Sequence, residues 1–375
     1  MSPHFRSYAL ISRDRIARNY RAVRQAVGPA VEIAGVVKAN AYGHGAAEVS
    51  RVLIGEGARW LAVSSVEEGV ALRDEGIRAR ILVMAGFLPF ELEAVAEYNL
   101  TPAVPSLSEI AALDRMAEAC GRPLPYHLKL DTGMGRLGTL AEAGEIARAI
   151  EAAQHARCEG LMSHLASASD FTTSQTCEQI SRFEAIRGAL AAQGIAPPIL
   201  HLAATHAILY PRGNTPGNLV RVGLSLYGYL SPAKGDAPPA AFDVAPTLTW
   251  KARILSVKDV PAGAPLGYNA SFHAPRAMRV AVVAAGYADG IFQCLSNRGS
   301  VIAAGKLTPI LGSVCMDTII VDVSHAPALV PGDEVTLLGT EGDVTLDAAR
   351  IAETAGTISY AVLCAIGQRV RRVYI

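Results

Sequence analysis

Eight apolar runs spaced along residues 31–224, nearly all parted by amphipathic stretches, constrain this chain more than any other feature. They fall at 31–37, 60–64, 80–85, 101–104, 126–130, 158–163, 199–203 and 219–224. Continuous apolar runs of this length read as strands buried on both faces, the condition of a parallel sheet covered by helices. Helices with one apolar face are expected at 46–55, 66–75, 107–119, 140–153 and 175–193. An earlier helix is capped by Ser12 and ended by Gly28-Pro29. Eight strands alternating with helices is the count of a (β/α)8 barrel. With 375 residues, the chain has room for that barrel and an appendage.

The texture changes near residue 230. Residues 231–239 form a Pro/Gly-rich connection. Beyond it, β-branched runs at 247–257, 279–284, 300–302 and 318–323 alternate with the turns Pro261-Ala262-Gly263 and Pro331-Gly332-Asp333, and one helix is expected at 346–354. The expected organisation is a barrel over 9–236 and a smaller, mainly-β domain over 237–375, with residues 1–8 packing against the latter.

Composition narrows the function. Basic and acidic residues balance at 34 each, so no global field draws nucleic acid, and no basic tract interleaves with aromatics. The six cysteines are scattered, without zinc spacing, and fit buried thiols in a reducing cytosol; no metal site is expected. No apolar run reaches membrane-spanning length and the first ten residues lack a leader pattern, so a cytoplasmic, small-molecule protein is expected.

A (β/α)8 barrel places its chemistry at the C-terminal ends of its strands, and polar residues stand there. Lys38 ends the first run, where partial desolvation disfavours the charged form of an amine and suits a Schiff base or a proton carrier. A solvated lysine capping a strand is the plainer alternative. Arg136 follows the fifth run, His164 ends the sixth, Thr205 and His206 follow the seventh, and Arg221 and Gly223 lie in the eighth. Loops after the last two strands commonly bind phosphate, so a phosphorylated ligand is favoured, with Thr205 donating a hydroxyl and Gly223 a close backbone N–H. Arg221 inside a strand needs a partner to be tolerated.

Gly133-Met134-Gly135-Arg136-Leu137-Gly138 matches a dinucleotide fingerprint. The next run ends in Met162-Ser163-His164 instead of an acidic ribose ligand, and eight βα units exceed a six-stranded nucleotide domain. A tight loop presenting Arg136 to a carboxylate is the better reading. In the second half, Gly267-Tyr268-Asn269, Gly286-Tyr287-Ala288-Asp289-Gly290 and Cys315-Met316-Asp317 punctuate strands, and Tyr360 is a candidate core aromatic.

Taken together, these motifs resemble the alanine racemase family of pyridoxal-phosphate enzymes over essentially the whole chain. The resemblance rests on residues 37–45 (Val-Lys-Ala-Asn-Ala-Tyr-Gly-His-Gly), 131–138 (Asp-Thr-Gly-Met-Gly-Arg-Leu-Gly), 221–228, 286–290 and 315–317. It implies that Lys38 holds pyridoxal 5'-phosphate as an internal aldimine and is one of two proton carriers in the interconversion of L-alanine and D-alanine. Tyr268 of a second subunit would be the other carrier, helped by His164 and Arg221. Tyr42, Thr205, Gly223, Leu224 and Tyr360 match cofactor phosphate positions, with Arg221 facing the pyridine nitrogen. Arg136, Met316 and Asp317 match substrate contacts, Tyr287 an entrance gate, and Lys129 a position often carbamylated to buttress Arg136. A head-to-tail homodimer with shared sites and a supply of D-alanine for the bacterial cell wall, its peptidoglycan, are likewise implied. Two features depart from the family pattern: Ala204-Thr205 replaces the usual Asn-Ser, and His164 is followed by Leu165-Ala166-Ser167. The rival readings are a serine or broad-specificity racemase on the same scaffold and a non-catalytic pyridoxal-phosphate carrier, which would lack the second domain.

Overall fold

The computed structural model describes residues 4–212 and 215–375. Its contacts divide the chain into two compact units, one of residues 16–41 and 46–245, the other of residues up to 15, 42–45 and 246–375.

The first unit is the expected barrel. Its eight strands are Glu32–Val36, Trp60–Val63, Arg80–Val83, Thr101–Val104, Leu124–Lys129, Ala156–Met162, Ile199–His201 and Leu219–Val222. Neighbours pair in parallel, and the eighth strand pairs with the first. Closure between the seventh and eighth is made by an Ala204–Arg221 bridge and the bond from Arg221 N to Ala203 O (3.0 Å). The strands are almost wholly buried, which is why they read as apolar runs and not as alternating ones. Two helices start where the sequence provides a serine followed three residues later by glutamate. Ser65 caps Val66–Asp74 and Ser106 caps Leu107–Cys120, each accepting from the glutamate's backbone N–H. A short helix, Leu92–Glu97, escaped the sequence reading because six residues hold too little periodicity.

The second unit is built on a nine-stranded sheet. Its longest strand, Leu248–Val260, pairs antiparallel with Ser7–Ile11, Met278–Val283 and Glu334–Glu341. Burial alternates along its first half, as expected of a sheet with one packed face. Ser7–Ile11 also pairs in parallel with Arg371–Tyr374. Strands Lys306–Leu311, Glu334–Glu341 and Arg371–Tyr374 and helix Ser359–Ala365 were not anticipated, so two helices interrupt the sheet where one was expected.

The division of the chain differs from the expected boundary after residue 236. Residues 237–245 stay with the barrel, held by reciprocal bonds between the Asn19 amide and the backbone of Ala245 (3.0 Å each) and by Ala241 N to Leu209 O (2.9 Å). Residues 9–15 belong to the β unit because the strand Ser7–Ile11 completes its sheet. No disulfide joins the six cysteines, in line with the expected thiols, but Cys120, Cys177, Cys294 and Cys364 are exposed and not buried. No helix among the described residues is long and apolar enough to cross a membrane.

Candidate active site

The barrel's C-terminal end gathers the residues singled out there. Strand one ends at Val36, anchored by the Tyr227 hydroxyl donating to Val36 O (2.7 Å), and Lys38 follows two residues later. The backbone then turns through a left-handed helical segment, with φ of 51°, 52°, 54° and 52° at Ala39, Asn40, Ala41 and Tyr42. Non-glycine residues pay roughly 1–2 kcal/mol each for that conformation, so the surroundings must hold it. Glu68 accepts from Ala39 N (2.6 Å) and Ser64 N (2.7 Å), and Asn40 Oδ1 accepts from Ala46 N (2.8 Å). The bent segment fixes where the Lys38 stem leaves the backbone. Lys38 Nζ makes no hydrogen bond to a described residue.

Cations converge on this mouth. Lys129, buried at the end of strand five, donates to Met84 O (3.3 Å). Burial, reinforced by Arg221, Arg136 and Lys38, lowers its pKa to about 8. Arg136 is exposed on the loop after strand five. In that loop Asp131 Oδ1 accepts the N–H groups of Gly133 (2.9 Å), Met134 (2.8 Å) and Gly135 (3.1 Å). The donors a dinucleotide would need are thus spent on a carboxylate, which removes the nucleotide reading on structural grounds.

Arg221, 3 % exposed, finds partners for both terminal nitrogens of its guanidinium. Nη1 donates to His201 O and His201 Nδ1 (both 2.8 Å), and Nη2 to Ser163 O (2.8 Å), Leu202 O (3.2 Å) and His164 Nδ1 (3.1 Å). Nε has no partner among the described residues. Burial lowers the pKa of Arg221 to about 10, so it remains a cation at neutral pH. His164 is driven the other way from charge: burial first, then Arg221, Arg136, Lys129 and Lys38, lower it to about 3. A guanidinium only donates, so His164 Nδ1 accepts and its proton sits on Nε2. His164 is a neutral hydrogen-bond donor, not an imidazolium. Gln179 fixes its backbone, donating to His164 O (2.9 Å) and accepting from Ala166 N (2.8 Å).

Beside these lies a cluster of hydroxyls and backbone donors. Thr205 Oγ1 accepts from Gly223 N (3.3 Å) and lies 3.3 Å from Ser225 Oγ, with Thr205, Gly223, Leu224 and Ser225 all buried. Ser225 was not anticipated from the sequence, where it was only one small polar residue in an apolar stretch. Ala204, standing where an asparagine was expected, enters through its backbone bridge to Arg221 and offers no side-chain donor.

The β unit carries the rest. Tyr42 and Tyr360 pack with ring centroids 5.7 Å apart, and burial raises the pKa of Tyr360. Gly43, at φ 81°, is held by Arg372 Nε donating to its carbonyl (2.8 Å), and a Cβ there would collide with Leu363 O. Tyr287 N and Ala288 N donate to Cys315 O (2.9 Å) and Met316 O (3.0 Å), tying the two polar loops together. Tyr268, Tyr287 and Met316 are 69 %, 44 % and 52 % exposed. Asp317 pairs with Arg369 Nη1 (2.8 Å), whose Nε reaches the buried Asp289 Oδ1 (3.2 Å). The Asp317 carboxylate thus forms one end of an ion-pair chain through Arg369 to Asp289.

Fold and site define a barrel enzyme with a lysine at the barrel mouth and a second, mainly-β unit. A family model for the alanine racemase N-terminal domain matches residues 11–231, and one for the C-terminal domain matches residues 247–374. The alanine racemase of Carboxydothermus hydrogenoformans is 39 % identical over 98 % of this chain and 99 % of its own length. The crystal structure of alanine racemase from the D-cycloserine producer Streptomyces lavendulae superposes with a TM-score of 0.91 at 33 % identity, covering 100 % of this chain and 98 % of that one. That of Bartonella henselae, which contains covalently bound pyridoxal phosphate, gives 0.87 at 29 %, covering 100 % of both chains. The chain belongs to the alanine racemase family.

Proposed function

We propose that this chain interconverts L-alanine and D-alanine, with pyridoxal 5'-phosphate carried on Lys38 and with Lys38 and Tyr268 exchanging the substrate Cα proton on opposite faces. The observation that carries this reading is the barrel mouth, where the Lys38 amine, without a hydrogen bond to a described residue, shares a cationic field with Lys129, Arg136 and Arg221. The residues fit that cofactor in three respects. Lys38 Nζ is free to bond an aldehyde carbon. Thr205, Gly223, Leu224 and Ser225 supply short polar groups of the kind that hold a phosphate, with Tyr42 and Tyr360 as further candidates. Arg221 keeps Nε–H for an accepting ring nitrogen.

When bound, the cofactor supplies an electron sink for the pair released at Cα. Arg221 keeps that sink weak, because a guanidinium donates and accepts nothing, leaving the ring nitrogen unprotonated. A weak sink favours prompt return of a proton to Cα over other fates. Racemisation needs a base on each face, and one lysine with one tyrosine is sufficient. Neutral His164 serves the tyrosine by offering Nε2–H to the phenolate oxygen. Arg136 and Met316 orient the substrate carboxylate, and Tyr287 gates entry. Lys129 buttresses Arg136. As a carbamate it would replace a buried cation with an anion among three cations, relieving the repulsion that lowers its pKa.

The exposure of Tyr268, Tyr287 and Met316 supports a homodimer in which each copy lends these side chains to the other. We infer a cytoplasmic enzyme that supplies D-alanine for cell-wall synthesis. The test is to incubate purified protein and pyridoxal phosphate with L-alanine or with L-serine and to measure the D-isomers formed. Strong preference for alanine is expected; equal rates would replace this reading with a broad-specificity racemase, and no product from either would favour a carrier.

A further inference from the structure

Arg221 is one end of a buried chain of polar side chains that the proposed reaction does not explain. His201 Nε2 and His127 Nδ1 are 2.7 Å apart, His127 Nε2 lies 3.3 Å from Glu159 Oε1, and Glu159 forms a tight pair with Arg80. Arg80 lies over the Trp60 indole, 3.9 Å from the ring centroid, with its side chain 42 % exposed. His127 and His201 have no exposed surface, and a Cβ at Gly160 would meet the His127 ring at 2.5 Å, so the space for that imidazole depends on a glycine.

The protons in this chain have only one consistent arrangement. Arg221 can only donate, so His201 Nδ1 must present a lone pair and His201 carries its proton on Nε2. That proton points at His127 Nδ1, which must also accept, leaving the His127 proton on Nε2 facing the Glu159 carboxylate. If either imidazole changed tautomer or gained a second proton, two N–H groups would face each other across 2.7 or 2.8 Å. Burial independently keeps both rings neutral, and the His127 bond with the Arg80 charge holds Glu159 below the ordinary carboxylate range although burial opposes this.

We propose that Glu159 is a positioning residue for the active site: by accepting the His127 Nε2 proton it anchors the far end of a chain whose tautomers Arg221 sets, holding both imidazoles in place so that Arg221 stays oriented. The proposal rests on the racemase reading for its catalytic consequence, but its structural content stands without it. Glu159 sits three side chains away from Arg221 and touches neither ligand nor reacting atoms.

The test reads the histidine nitrogens directly. Uniformly 15N-histidine protein, with and without pyridoxal phosphate, is compared by long-range 1H–15N correlation with His127→Gln and His201→Gln for assignment. Both buried rings are expected to be neutral with the proton on Nε2, and His127 Nε2–H to resonate far downfield. Glu159→Gln keeps an acceptor oxygen and should keep the tautomers while moving that proton upfield. Glu159→Met removes the acceptor and, with the tautomers still set by Arg221, should move the His127 Nε2 proton further upfield and shift the His201 nitrogens as well. Its kcat for alanine should fall about ten- to a hundredfold with KM little changed, the usual size of losing an outer hydrogen-bond partner of a reactive centre. An Nδ1–H tautomer or an imidazolium at either ring in the unsubstituted protein overturns the proposal. So does Glu159→Met with the His201 nitrogens and kcat both unmoved. If the spectra follow the proposal but neither L-alanine nor L-serine is racemised, the racemase reading fails while the tautomer relay stands.

Discussion

The two units hold their candidate residues in opposite ways. In the barrel, Arg221 is 3 % exposed with five hydrogen-bond acceptors, His164 is locked to one tautomer, and Thr205 is bonded to Gly223. In the β unit, Tyr268 is 69 % exposed on a short turn and Met316 is 52 % exposed. A preorganised cradle is what a tightly held, reusable group requires, since its orientation must not be paid for in every turnover. Exposed anchors are what an interface between copies requires. Substitutions in the barrel should therefore affect cofactor retention and stability, and those in the β unit should affect proton transfer and association.

The largest expected effect is that of Lys38→Ala. It should abolish the visible absorbance of the lysine-bound cofactor and reduce racemisation by at least about 10⁴-fold, since a proton carrier and the covalent anchor go together. Retained covalent attachment, read by mass spectrometry after borohydride reduction, would break the assignment of the anchor to the barrel. Tyr268→Phe, in the other unit, should leave that absorbance unchanged and slow proton transfer by about 10²–10⁴-fold, most strongly from L-alanine. Normal racemisation by this variant would remove the β unit from the chemistry.

Arg221→Leu should cost about 3 kcal/mol or more of stability in denaturant titrations, because the carbonyls of Ser163, His201 and Leu202 and two imidazole nitrogens lose their donor. No comparable loss is expected for Met316→Ala. Gly43→Ala is expected to cost roughly 1–2 kcal/mol from its left-handed backbone alone, with more from the collision with Leu363 O. A further effect is confined to the pH dependence of stability. His164 has its folded pKa lowered from 6.5 to about 3, so the unfolded chain binds its proton first. Stability contributed by this group is full above pH 6.5 and falls as the pH drops from there toward about 3. His164→Gln should flatten that part of the stability profile.

How much of this was legible in the sequence follows from the same contrast. The barrel could be read because eight buried strands must be apolar without interruption, and its candidate residues stood out because Lys38, Arg136 and His164 stand at or just past the ends of those runs and Arg221 inside one, where polarity is conspicuous. The supporting residues were hidden. Glu159 and His127 sit inside strands whose side-chain partners are set by barrel closure, a long-range fact that no local pattern encodes. Glu68 read as one more helix carboxylate until its bonds to Ala39 N and Ser64 N were seen. In the β unit, Tyr268 and Met316 are candidates through motif resemblance alone, since an exposed side chain leaves no burial signature. Residues 237–245 were misplaced because a Pro-rich stretch marks a change of direction, which need not be a change of partner.

The most direct test of the account follows L-alanine by circular dichroism in D2O with the purified protein and pyridoxal phosphate. The account predicts decay of the signal to zero with deuterium incorporated at Cα at a matching rate. A steady signal with no exchange at Cα would contradict it.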